Sequence, residues 1–154
     1  MTRHPSLIPL SQDHHHALAL ALRCRKQALG QIKPMGVVGL AERAKEFLDF
    51  YEKNLRAHFA AEEQELFPWM RSHIAASAVM IDELLRQHEE LRQFAAKIAA
   101  GVGLAKLIFD LGDLLERHVR KEERELFPLF EAQARESEAQ QLGSAIQRLL
   151  SQTG

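Results

Sequence analysis

The sequence predicts an all-α protein that folds as an antiparallel four-helix bundle with up-down-up-down topology. Apolar residues recur at spacings of three and four along the chain and almost never alternate at two, which is the pattern of amphipathic helices. The composition is rich in the helix formers Ala, Leu, Glu, Gln and Arg, whereas Trp and Tyr occur once each. Four long periodic segments with short connections are packed most economically as such a bundle.

The length and net charge of the chain limit its number of domains and its kinds of partner. A chain of 154 residues is long enough for one domain with a core, so we expect a single domain over 1–154, with the bundle at about 10–130. The 20 Lys and Arg nearly balance the 21 Asp and Glu, which leaves no basic excess to attract a polyanion. We therefore expect neither nucleic acid nor a membrane as a partner, and the oligomeric state stays open.

Cysteine usage and hydropathy predict a cytoplasmic protein. Cys24 is the only cysteine, so one chain can form neither a disulfide nor a thiolate zinc site. The first residues lack the apolar segment of a secretory signal, and no run of about 18 apolar residues could span a membrane.

The first two predicted helices are separated by a connection rich in Pro and Gly. Helix one starts at Ser11, places Asp13 near the positive end of the helix dipole and runs to Gly30. The segment QIKPMGVVG is typical of a connection. Helix two then runs from about Leu40 to Phe67.

Proline is expected to end or kink the second and fourth helices. Pro68 follows helix two directly, and its ring and missing N–H disrupt a helix interior. Helix three begins near Ser77 and closes at the Gly101-Val102-Gly103 segment. Helix four runs from Leu104 to Phe127, and Pro128 repeats the stop. A weaker amphipathic pattern predicts a short tail helix at about 132–151, packed outside the main bundle.

One motif is written twice. HFAAEEQELFP begins at His58 and HVRKEERELFP begins at His118, and aligning 55–70 with 115–130 gives eight identities in sixteen positions. A shift of 73 residues also superposes His15 on His88 in the preceding helices. The chain therefore resembles two helix pairs, each with one His from its first helix and a His and a Glu from its second.

The spacing within each copy indicates chemistry. His58 and Glu62, like His118 and Glu122, are four residues apart, so each pair lies on one helix face, in phase with the apolar stripe. Burying an unpaired carboxylate costs several kcal/mol, and two facing carboxylates cost more. No Lys or Arg lies on the inward stripes at these depths, which leaves protonation or a metal cation. Four His and two Glu suit two divalent ions with bridging carboxylates.

The two motif copies, preceded by DHHHAL and QHEEL, resemble the hemerythrin-like family, also called HHE cation-binding domains. The resemblance covers roughly residues 8–130. It implies a four-helix bundle with a non-haem centre of two iron ions. The family's activities are binding dioxygen or related small molecules, sensing, iron handling and stress response.

The resemblance also implies the ligands of this chain. It assigns one position to His15 or His14, and the others to His58, Glu62, His88, His118 and Glu122. For helix one we prefer His15, which has Leu at +3 and +7 and matches His88 by repeat, over His14, which lies closer to the centre of the apolar face. In this assignment His15 and His58 hold one iron, His88 and His118 hold the other, and the two glutamates bridge.

One position departs from the oxygen-carrying hemerythrins, which use two His one turn apart on helix three. Here Leu84 occupies the position one turn before His88, which argues against reversible oxygen carriage. Glu63 and Glu123 are the next candidates to complete the ligand set.

Three functions fit these features. The first is a cytoplasmic di-iron protein that binds or senses dioxygen, nitric oxide or peroxide, or handles iron, with another divalent metal as the alternative occupant. The second is a di-iron oxidase or peroxidase, although such ferritin-like enzymes carry Glu-x-x-His rather than the His-x-x-x-Glu found here. The third is a helical interaction module stapled by metal. We favour the metal-binding or sensor protein over the enzyme.

Overall fold

The computed structural model describes residues 2–152, and within that part of the chain it contains helices and no strand. This confirms the all-α prediction, while the antiparallel order of the helices stays a prediction. Within 2–152, no helix is both long and apolar enough to cross a membrane. The α-helices are α1 Ile8–Ala28, α2 Gly36–Phe50, α3 Arg56–Ala61, α4 Phe67–His73, α5 Ala78–Ala99, α6 Ala105–Lys121, α7 Phe127–Gln133 and α8 Glu136–Ser151.

Turns of π-helix join several of these segments into longer helical runs. Tyr51–Leu55 and Glu62–Leu66 connect α2, α3 and α4 into one run over 36–73, and Glu122–Leu126 connects α6 and α7 into a run over 105–133. With α1 and α5, these two runs are the four long members of the fold. A π turn inside an α-helix is frequently found at a functional site.

Of the two outcomes expected at Pro68 and Pro128, an end or a kink of the helix, the end does not occur. Both prolines lie in the first turn of a new α-helical segment, just after a π turn. The N–H of Phe67 donates to the carbonyl of Glu62, and the N–H of Phe127 donates to that of Glu122, five residues back. This change of hydrogen-bond register admits a residue that has no N–H, so the helix continues past it.

The first two helices also start earlier than predicted. Helix α1 begins at Ile8 rather than Ser11, because Pro9 falls in its first turn, where the missing N–H leaves no bond unmade. Helix α2 begins at Gly36 rather than Leu40.

The buried apolar residues form two clusters, and a layer of buried polar residues separates them. Along α1, Leu10 belongs to one cluster and Ala17 to the other, with His14 between them. Along α5, Leu84 and Leu91 flank the buried histidine in the same way. Along both helices, a buried polar residue therefore lies between two buried apolar regions.

Helix α8, the predicted tail helix, buries an apolar face in one of the two core clusters. Ala139, Leu142 and Ile146 are buried on α8 and belong to the same cluster as Leu7 and Leu10. The helix lies against the 3₁₀ turn at Pro5–Leu7 and against α3. Burial of a side chain such as Ile146 is worth about 1.5–3 kcal/mol, which explains why the tail is held against the bundle.

Gly112 permits the close approach of α1 and α6. A Cβ at this position would lie 2.7 Å from the carbonyl oxygen of Ala21 and 3.0 Å from Cβ of Cys24. Gly112→Ala is expected to lower the free energy of unfolding by about 1–2 kcal/mol, because overpacking against backbone outweighs the better helix propensity of Ala. Chemical denaturation should show this loss. Gly103→Ala is the control, because nothing lies within 4 Å of that position; a G112A protein as stable as the parent would contradict the packing argument.

Candidate metal centre

The polar layer contains six side chains that are at most 2% exposed. They come from α1, α3, α5, α6 and the π turns at Glu62–Leu66 and Glu122–Leu126. They are His14, His58, Glu62, His88, His118 and Glu122.

These side chains form two overlapping groups of potential metal donors. One group contains His14 and His58, the other contains His88 and His118, and both contain Glu62 and Glu122. In each group the donor atoms lie within 4.8 Å of one another. Two carboxylates shared between two pairs of imidazoles are the arrangement that would allow them to bridge two cations.

All four imidazoles turn Nε2 toward the shared carboxylates. The shortest distances from Nε2 to a carboxylate oxygen are 2.9 Å from His14 to Glu122, 3.4 Å from His58 to Glu62, 3.0 Å from His88 to Glu62 and 3.4 Å from His118 to Glu122.

The opposite ring nitrogen of each histidine is held by an acceptor. The Nδ1 partners are Glu123 at 2.6 Å from His14, Asp13 at 3.0 Å from His58, Glu63 at 2.6 Å from His88 and Gln87 at 2.8 Å from His118. Because each acceptor favours a proton on Nδ1, the neutral form of each ring directs the lone pair of Nε2 toward the centre. Metal-ligating histidines are typically anchored in this way.

The donor set leaves buried polar atoms without partners, and all of those found within 2–152 lie at this centre. They are Nε2 of His14 and of His118, Oε2 of Glu62 and both carboxylate oxygens of Glu122. In the same part of the chain, histidines are the only basic side chains that pair with Glu62 and Glu122. Such burial is costly unless a cation supplies the missing interactions. The residues therefore fit divalent-cation binding by mixed nitrogen and oxygen ligands.

Proton affinities at the centre are strongly shifted. Burial, followed by the charge of Glu122, raises the pKa of Glu62 well above its usual range. Burial lowers the pKa of His88 to about 4, so its ring is neutral at pH 7, and its Nε2 lies 3.0 Å from Oε1 of Glu62. Burial opposes charge on His58, but Glu62 and Asp13 outweigh it and hold the pKa of His58 well above the ordinary value. Protons and a cation therefore compete for the donor atoms of His58 and Glu62.

A metal-free protein is expected to lose stability as the pH rises above about 6.5, the ordinary pKa of histidine. The raised pKa values of His58 and Glu62 mean that the folded state binds more protons than the unfolded state in this range, so stability falls with pH. The lowered pKa of His88 has the opposite sign, but it acts between about 4 and 6.5. Urea unfolding of chelator-treated protein at several pH values from 6.5 to 8.5 would measure this.

Glu62→Gln should flatten that pH dependence, because it removes one of the two proton-holding groups. Rising stability of the metal-free parent over the same pH range would contradict the proton assignment.

The structure brings His14, and not the preferred candidate His15, to the donor groups. His15 is exposed, whereas His14 is buried within the first donor group. A shift of 74 rather than 73 residues superposes the two halves, and it places His14 on His88. Leu22, which supported the other register, is 45% exposed. The core face of α1 includes the small residues Ala17, Ala21 and Cys24, which carry a weaker hydropathy signal.

Glu63 and Glu123 do not join either donor group. Glu123 accepts hydrogen bonds from Nδ1 of His14 and from the Ser11 hydroxyl, which hold its pKa at about 2 although burial opposes this. Glu63 accepts from Nδ1 of His88 in the corresponding way. Both glutamates are therefore supports of a ligand rather than additional ligands.

The sequence pattern does not predict the supporting roles of Asp13 and Gln87. It predicts a helix-dipole role for Asp13 and no role for Gln87. Asp13 directly precedes His14, and Gln87 directly precedes His88. An alignment of the two halves with a shift of 74 residues therefore places Asp13 and Gln87 at corresponding positions.

Aromatic rings enclose the centre. Phe59 stacks on His88 with ring centroids 3.8 Å apart, and Phe127 stacks on His14 at 5.4 Å. Both phenylalanines are at most 2% exposed at this depth. Leu84, one turn before His88, is completely buried and offers no nitrogen to the centre.

Comparison with known proteins agrees with this geometry. The family model of the hemerythrin HHE cation-binding domain matches residues 9–130, and it matches again over residues 79–153. No curated protein and no solved structure matches the chain. Because the first match alone covers most of the sequence and contains every residue of the two donor groups, the chain belongs to the hemerythrin HHE cation-binding domain family.

Proposed function

We propose that this protein is a cytoplasmic non-haem di-iron protein that binds or senses dioxygen, nitric oxide or peroxide. The observation that carries the proposal is the pair of donor groups that share Glu62 and Glu122. A single cation would require one group, and a structural zinc site would more often use thiolates, whereas Cys24 is buried in the apolar core. The proposal includes the up-down-up-down order of the four helical runs.

Each part of the donor set has a defined task in this proposal. His14 and His58 would hold one cation, His88 and His118 the other, and the two glutamates would lie between them. When bound, an iron pair supplies Lewis acidity and reversible one-electron chemistry. The protein orients the imidazoles through their Nδ1 hydrogen bonds, and its aromatic side chains restrict water.

The composition of the centre leaves room for a small ligand. Each group offers two imidazoles and two shared carboxylates, and the buried Leu84 adds no further donor at the depth of His88. Nitrogen and carboxylate sites with open positions are typical of iron proteins that react with oxygen species. The enclosure by Phe59 and Phe127 admits a diatomic molecule or peroxide more readily than a large substrate.

The test is anaerobic reconstitution with Fe(II), followed by elemental analysis and absorption spectroscopy. We expect two iron ions per chain and a spectral change on addition of dioxygen, nitric oxide or peroxide. Two bound ions whose spectrum responds to none of these three small molecules would favour a purely structural role for the metal. Failure to bind iron would reject the proposal, and tight stoichiometric binding of another divalent metal instead would reassign the cation.

A further inference from the structure

The centre has an approximate internal symmetry that follows the sequence repeat. A shift of 60 residues places His58 on His118 and Glu62 on Glu122, and the shift of 74 places His14 on His88. The two donor groups are therefore equivalent in residue type.

The residues that hydrogen-bond to Nδ1 of the histidines keep this symmetry at His14 and His88. Glu123 supports His14 and Glu63 supports His88, and both Nδ1–carboxylate distances are 2.6 Å. An arginine pairs with each of these glutamates: Arg3 Nη2 lies 2.9 Å from Glu123, and Arg92 Nη2 lies 2.8 Å from Glu63. The charge of this outer glutamate is thus offset to a similar degree on the two sides.

The symmetry breaks at the Nδ1 partners of the other two histidines, His58 and His118. Asp13 Oδ2 lies 3.0 Å from Nδ1 of His58, whereas Gln87 Oε1 lies 2.8 Å from Nδ1 of His118. Asp13 and Gln87 correspond to each other under the shift of 74. One histidine is therefore supported by a carboxylate and its counterpart by a neutral amide.

Unlike Glu63 and Glu123, Asp13 has no arginine or lysine partner among the described residues 2–152. Within residues 2–152 its ion-pair partner is His58 alone, and its other carboxylate oxygen lies 3.4 Å from Nδ2 of Asn54. The residue that corresponds to Asn54 in the second half is Leu114, which offers no hydrogen bond. The Asp13 side chain is 15% exposed, so solvent screens it only in part.

We propose that Asp13 makes the two cation positions inequivalent, so that the position between His14 and His58 binds a divalent cation first and more tightly. This rests on the two-cation centre of the proposed function. A carboxylate that accepts from Nδ1 makes the imidazole a stronger donor and holds its ring, and loss of such a partner typically costs 10–100-fold in metal affinity. An amide orients the ring without adding negative charge. Asp13 is accordingly a positioning residue.

The consequence appears when the metal concentration is too low to fill both positions. The position between His88 and His118 fills second and releases its cation first. The protein then has a half-loaded state in which the cation lies beside Asp13.

The test is titration of metal-free protein with Co(II), followed by calorimetry and by the visible absorption of the bound ion. The parent is expected to show two binding events whose affinities differ by about 10–100-fold. Asp13→Asn should weaken the first event by a similar factor and bring the two affinities together. Gln87→Glu should tighten the second event, a gain that a merely structural role of Gln87 would not produce. Asp113→Asn, a change on the exposed face of α6, is the control.

The outcomes separate this inference from the function on which it rests. Two ions bound with equal affinity by the parent, or an unchanged first event in D13N protein of native helicity, would overturn the role of Asp13 and leave the two-cation centre intact. An absence of Co(II) binding by the parent would instead count against the centre itself.

Discussion

Glu122→Gln is expected to weaken binding at both cation positions by at least about 100-fold, because the same carboxylate serves both donor groups. Neither oxygen of Glu122 has a hydrogen-bond partner, and the nearby histidines, above all His118, hold its pKa well below the usual range although burial opposes this. The side chain is therefore an available anion at neutral pH. An amide of the same shape removes that charge without leaving a cavity. Elemental analysis of dialysed protein should show both ions lost together.

The control for this experiment is Glu125→Gln, which changes an exposed glutamate in the same π turn. It should retain two ions per chain. Retention of both ions by E122Q would contradict the bridging role.

Chelation of the bound cations is expected to lower the free energy of unfolding by about 5 kcal/mol. A ligand present at 100 times its Kd stabilises the native state by about 2.7 kcal/mol, and this centre has two positions. For a chain of this length the change corresponds to a fall of about 10–20 °C in Tm. Thermal melts followed by circular dichroism, with and without a chelator, would measure it.

A Glu62→Gln, Glu122→Gln double variant provides the matched control for the melting experiment. Its Tm should not respond to the chelator, because both shared ligands have been neutralised. A parent protein whose Tm is equally indifferent to metal and to chelator would show that the buried carboxylates are satisfied by protons alone.

The sequence alone determined the features that depend on helix periodicity. His58 with Glu62, and His118 with Glu122, stand one turn apart in phase with large apolar residues, so their burial on the core face followed from spacing. The cost of burying two carboxylates then indicated a cation. The all-α class followed from the same pattern and does not depend on how the helices are arranged.

The tertiary structure decided the features that depend on what faces each helix. His14 and His15 differ by about 100° around α1, and the small side chains Ala17 and Ala21 turn His14 inward because they pack closely against the neighbouring helix. The path of the helix through Pro68 was decided by a π turn, which changes backbone hydrogen bonds rather than side-chain pattern. Helix periodicity also does not predict the residues that hydrogen-bond to Nδ1 of the histidines, since Asp13 and His58 are 45 residues apart in the chain. A period shows which side of a helix is buried, but only packing brings one helix to the ring nitrogen of another.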